Sequence, residues 1–127
     1  MTEKGVQYHW DLEVYTLSVE AAMQIFEMTK QFPRQETYSL TDQIRRSSRS
    51  VSSNIAEAWR RRRYEKSFVN KLNESEAEAA ETQVWLEYSV KCGYWDRDAA
   101  KKISQLYDYI IGKLVIMQNN PDPWIMK

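Results

Sequence analysis

Apolar residues recur every three or four positions along most of the chain, the period of a helix with one buried face. Four such runs stand between breakers: Pro33 closes the first, Gly93 the third, and Asn119-Asn120-Pro121 the fourth. No proline lies between Pro33 and Pro121, which favours long helices. The first helix is predicted over Leu12–Lys30. Its stripe is Leu12, Tyr15, Val19, Ala22, Phe26 and Met28, widened by Leu17, Met23 and Ile25. The residues before it read as an extended arm over 1–11.

The second helix is predicted to begin at Leu40, with Ser39 as N-cap and Asp42 in the positive first turn. Leu40, Ile44, Ser47, Val51, Ile55 and Ala58 form its stripe; several are small and allow a neighbour to approach closely. The third helix spans about Tyr64–Cys92, with Phe68, Leu72, Ser75, Ala79, Thr82, Leu86 and Ser89 in near-heptad register. Gly93 suits the left-handed position that ends a helix. Asp96 or Asp98 caps the fourth helix, which runs to about Gln118 on Ala100, Ile103, Tyr107, Ile110, Leu114 and Met117. Short connections make neighbouring helices antiparallel. The expected fold is all-α: a single-domain, up-down-up-down four-helix bundle over 1–127, with a non-helical tail over 121–127 whose Trp124 docks on some surface.

From Tyr109 to Met117 only Lys113 is charged. A helix apolar on several sides is either central to its own bundle or part of a subunit interface. The second reading makes the protein a homo-oligomer.

Composition narrows the class. Three Gly and three Pro in 127 residues are too few turn formers for an all-β chain. One Cys and one His exclude a disulfide framework and a Cys/His zinc site. The start of the chain lacks the pattern of a signal peptide and no run approaches the length of a membrane span, so a cytoplasmic protein with no membrane partner is expected. Cys92 is then a reduced thiol with no histidine nearby in sequence to activate it. Glu74, Glu78 and Glu81 align on one helix, but a bundle metal centre also needs Glu-x-x-His motifs, and the single histidine, His9, lies in the arm. No nucleophilic triad and no glycine-rich phosphate loop is present. Neither an enzyme nor a cofactor is expected.

The formal net charge is zero, with 18 basic and 18 acidic residues. The charges are nevertheless segregated. Arg34–Lys66 holds nine basic residues and four acids, a surplus of +5; Asn73–Ser89 holds five acids and no base. In one reading Arg45, Arg46, Arg49 and the run Arg60, Arg61, Arg62 and Arg63 contact the phosphates of RNA or DNA. Four consecutive residues point around the whole helix, so one neighbour cannot pair them all. In the other, the arginines offset the negative end of the second helix and pair with acids. Those acids are Asp42 with Arg45 or Arg46, Glu57 with Arg60 or Arg61, and the acidic third helix within or between subunits. That alternative makes the protein an interaction or scaffold module without nucleic-acid binding.

The second helix also carries a long motif. Phe32-Pro33-Arg34-Gln35-Glu36-Thr37-Tyr38-Ser39-Leu40-Thr41-Asp42-Gln43-Ile44-Arg45-Arg46, continued by Ser50-Val51-Ser52-Ser53-Asn54-Ile55-Ala56-Glu57, resembles the signature of the 23S rRNA-intervening-sequence (S23) family. Ser52 stands where that pattern has proline and Ala58 where it has glycine. The first departure should straighten or stabilise the middle of the helix. The resemblance implies a four-helix bundle assembled as a homopentamer, encoded in intervening sequences of bacterial 23S rRNA genes. A related branch is the accessory subunit of diversity-generating retroelements, which contacts a reverse transcriptase and nucleic acid through basic surfaces. Carried onto this chain, Arg45 and Arg46 become phosphate contacts or intersubunit ion pairs. Asn54 becomes a register-fixing amide or a ligand group, and Glu57 an arginine partner.

Overall fold

A computed structural model describes residues 5–126. It contains helices α1 (Glu13–Thr29), α2 (Leu40–Arg60), α3 (Glu65–Lys91) and α4 (Arg97–Asn119). Short 3-10 turns precede α1 and α2 at His9–Asp11 and Arg34–Glu36. No strand occurs among the described residues. Each helix packs on its neighbours in sequence, and α1 closes the ring against α4. Cross-helix bonds fix the directions. Ser75 Oγ donates to Val51 O at 2.7 Å while Lys71 pairs with Glu57 at 3.1 Å, so α2 and α3 are antiparallel. Gln83 reaches Ser104 O at 2.9 Å and Asn73 reaches Gln118 at 3.2 Å, so α3 and α4 are antiparallel as well. The protein is an all-α four-helix bundle.

The stripes expected for α2, α3 and α4 are all buried. The most extensive packing is between α2 and α3. Small hydroxyl residues make that closeness possible: Thr82 Oγ1 donates within 2.8 Å of Ser47 Oγ, both fully buried. At this seam the hydroxyls of Ser47, Ser75 and Thr82 each find a partner, so their desolvation is offset. The substitution of Ser52 for proline leaves α2 unbroken, with Ser52 Oγ donating back to Arg49 O at 3.2 Å.

The face of α1 differs from expectation. Leu12 and Ile25 are buried, but the rest of the buried stripe is Val14, Ser18, Ala21 and Thr29; Tyr15, Val19, Ala22, Phe26 and Met28 are half-buried flanks. The two rows differ by one residue, a rotation of about 100°. Ser18 and Thr29 can face inward because their hydroxyls donate to Tyr15 O and Phe26 O, at 2.7 and 2.9 Å. Their small size, with Ala21, lets α1 lie close, and the larger residues then sit at the groove edges.

Helix ends account for two further differences. Ser39 occupies the N-cap of α2 without capping through its own side chain. Instead Glu36 accepts from Ser39 Oγ at 2.5 Å and from Leu40 N–H at 3.3 Å. Those bonds, led by Ser39 and followed by Tyr94, hold the Glu36 carboxyl below its usual pKa. The arm is not simply extended either: residues 1–4 lie outside the described residues, and His9–Asp11 forms a turn. Asp11 Oδ2 accepts from the N–H groups of Gln7 and Tyr8, at 3.1 and 3.0 Å, which closes that turn. The α3 terminus and the α4 start are as expected. Gly93 has φ +79°, Tyr94 N–H reaches Ser89 O at 2.9 Å, and Asp96 accepts from Ala99 N–H at 2.9 Å.

Candidate nucleic-acid interface

The seven candidate phosphate-binding arginines separate into two groups once the helices are packed. Three serve the fold. Arg45 lies between α1 and α2, with Nε donating to Thr29 Oγ1 at 2.8 Å and its guanidinium 4.7 Å from the centre of the Phe26 ring. Arg46 turns toward α3, pairing with Glu81 and, at 3.4 Å, with Glu78. Arg62 stacks on Trp59, 3.7 Å from the ring centre, and donates from Nε to Trp59 O at 2.8 Å. That bond satisfies a carbonyl at the negative end of α2.

The other four are exposed and have no carboxylate partner among the described residues: Arg49, Arg60, Arg61 and Arg63. Arg49 lies near the edge of the Phe26 ring, at 5.8 Å. Arg61 donates to the neutral Ser67 Oγ at 3.2 Å. Burial, and secondarily repulsion from Arg60, pulls the pKa of Arg62 below its usual value. The charges at this end of the bundle are therefore felt by one another.

Trp59 organises that end. It is 2% exposed, and its Nε1 donates to Gln7 O at 3.2 Å, which pins the N-terminal segment to α2. Arg62 covers its ring, and Arg62 O accepts from Met126 N–H at 3.0 Å. The arm, the α2–α3 turn and the C-terminal tail thus meet at one end of the bundle. Within the tail, Trp124 is half-buried against the core. Neither Trp59 nor its link to Arg62 stood out in the sequence. The apolar periodicity placed Ala58 in the core, and only the next position's large ring hinted at a hub.

The two motif residues outside the arginines also find local roles. Asn54 donates from Nδ2 to Ser50 O at 2.9 Å, a bond within its own helix and not a link between helices. Glu57 pairs with Lys71, not with Arg60 or Arg61, and its hydrogen bond is the leading cause of the raised Lys71 pKa. Asp42 forms no ion pair with Arg45 or Arg46. Side-chain reach explains both differences: Lys71 projects across the α2–α3 seam, while Arg45 and Arg46 are drawn to α1 and α3.

All five acids of the −5 segment are engaged within the chain. Glu74 meets Lys71, Glu76 meets Gln118, Glu78 and Glu81 meet Arg46, and Glu87 meets Lys91. No group of three or more His, Cys, Asp or Glu among the described residues could hold a metal ion. Cys92 is an exposed free thiol, and His9 packs edge-on to Trp10 and Tyr15. No helix among the described residues is long and apolar enough to cross a membrane.

Comparisons with known proteins agree with this architecture. A family model described as 23S rRNA-intervening sequence protein matches residues 10–115. A crystal structure of a protein with unknown function from the S23 ribosomal protein family of Bacteroides thetaiotaomicron is 30% identical, with a TM-score of 0.76. The similarity covers 84% of this chain and 96% of that one. No curated protein matches the chain.

Proposed function

The chain belongs to the family of 23S rRNA-intervening sequence proteins, and from that premise we propose that it is a non-enzymatic, cytoplasmic, oligomeric bundle whose arginines contact nucleic-acid phosphates. One observation carries this reading. Four of the five acids of the −5 segment pair with a cation in their own chain and Glu76 accepts from Gln118, whereas Arg49, Arg60, Arg61 and Arg63 have no carboxylate partner among the described residues. The acids of α3 are thus poorly placed to neutralise those arginines in a neighbouring subunit. A guanidinium fork suits phosphate oxygens. Arg49 and Arg60 share a face of α2, and their separation of about 16 Å along the axis spans several phosphates. The earlier set therefore narrows to four contacts, with Arg45, Arg46 and Arg62 supporting the scaffold.

Self-association is the second part of the proposal. Ile116 is 58% exposed and shares a helix face with the exposed Gly112, beside the half-buried Ile111 and Val115. Contiguous apolar surface of this kind favours association. The family resemblance suggests five copies.

A salt titration of RNA and DNA binding, with light scattering on the same sample, tests both parts. Each contacted phosphate should contribute roughly 0.7–0.9 log units of affinity per log unit of salt. Replacing Arg49, Arg60, Arg61 and Arg63 with glutamine should flatten that dependence while the oligomer keeps its mass. If wild type binds nothing at low salt, or the replacement dissociates the oligomer, the arginines serve subunit pairing and the proposal fails.

A further inference from the structure

The end of the bundle that carries Arg60, Arg61 and Arg63 also displays aromatic rings. Tyr8 and Trp10 stack on each other with centroids 4.5 Å apart, yet remain 45% and 56% exposed. Tyr64, directly after the arginines, is 65% exposed. An exposed tryptophan is not required to close the core here: Trp59, Trp95 and Trp124 already pack against or within it. The rings are brought to the arginines by two specific devices. Trp59 Nε1 holds Gln7 O, and Asp11 closes the turn that presents Tyr8 and Trp10. The described acids near this surface, Asp11, Glu65 and Asp122, are fewer than the cations Arg60, Arg61, Arg62, Arg63 and Lys66. Asp11 is directed to the backbone N–H groups of Gln7 and Tyr8, and Glu65 sits in the first turn of α3, where it complements the helix.

Resting on the phosphate reading above, we propose that this end binds single-stranded nucleic acid, with unpaired bases stacked on Tyr8, Trp10 and Tyr64 and phosphates held by Arg60, Arg61 and Arg63. A duplex hides its base faces inside the stack and offers only phosphates to such a surface. An unpaired strand offers both, and every base has a π-face, so the surface needs no particular sequence. Cations and exposed rings at one end of the bundle match that ligand.

The test uses the full chain and an unstructured RNA of about 12 nucleotides, within the usual size range of single-strand sites. The same sequence as DNA and as a blunt duplex provides the comparison. Tryptophan fluorescence should be quenched by the single strands, and the quench should be lost in Trp10→Ala. Single strands should bind more tightly than the duplex. Trp10→Ala and Tyr8→Ala should each weaken single-strand binding at least about fivefold, with duplex binding unchanged. Trp10→Phe should restore most of the loss. Unchanged melting curves would show that the exposed rings were not needed for folding. Equal binding of duplex and single strand, with the ring variants silent and the arginine variants weakened, would overturn this inference and leave the phosphate reading standing. Absence of binding by every probe would overturn both.

Discussion

Arg46 and Arg60 belong to the same helix and carry the same charge, but they meet different surroundings. Arg46 faces α3, where Glu78 and Glu81 lie one turn apart on the opposing surface. Arg60 lies at the last turn of α2, where the chain reverses and the next three residues are also arginines. One helix can present carboxylates to one side chain on its seam. It cannot reach four that point in different directions. A zero net charge therefore coexists with a neutralised side and an end whose arginines Arg60, Arg61 and Arg63 have no carboxylate partner among the described residues.

Changes at Trp59 should break this contrast most severely. Trp59→Ala removes a nearly buried ring, the stacking surface of Arg62 and the donor to Gln7, and should cost about 3–5 kcal/mol. Chemical denaturation would measure that loss, and hydrogen exchange should show the arm and tail opening first. Next in size is a control in the core. Tyr107 is fully buried, its hydroxyl has no partner among the described residues, and burial raises its pKa. Removing an unsatisfied group relieves a cost of about 1–3 kcal/mol, so Tyr107→Phe should melt higher without altering nucleic-acid binding. Wild type should also lose stability at strongly alkaline pH: the raised pKa favours the neutral phenol, whose contribution is present below the ordinary tyrosine range and lost above it. The phenylalanine variant should lose less in that range.

Arg46→Gln should have a smaller effect, at most about 1 kcal/mol, because its pairs are partly exposed. Affinity for nucleic acid and its salt dependence should not fall, in contrast to the changes at Arg60 and Arg63. The smallest effect is expected at the opposite end of the bundle. The lowered pKa of Glu36 means that its capping bonds contribute above the ordinary carboxylate range and are lost as pH falls through the folded value. Glu36→Gln should therefore flatten the acid side of the stability curve, measured by thermal melts between neutral and acidic pH. Its effect on binding should be nil.

Periodicity made three of the four helix faces readable because their inward positions were large or regularly spaced. Ile44, Val51 and Ile55 could only have pointed inward together, and so could Ile103, Tyr107, Ile110 and Leu114. It misled for α1, where Ser18 and Thr29 face the core and Phe26 does not. A hydroxyl bonded to its own helix reads as polar in a sequence but behaves as a small core residue. The candidate interface was half legible. The run Arg60–Arg63 was visible as an excess of charge, but its separation into a stacked Arg62 and three exposed neighbours depended on Trp59.

Helix positions, the Gly93 terminus, a cap at Asp96 or Asp98 and the bundle class were determined by sequence alone, because each rests on residues within a turn or two of one another. The rotation of α1, the capture of Arg46 by α3 and the anchoring of the N-terminal arm on Trp59 were decided only by tertiary structure. Those contacts join segments separated by tens of residues, and helix packing, not local preference, sets which side chains come within reach.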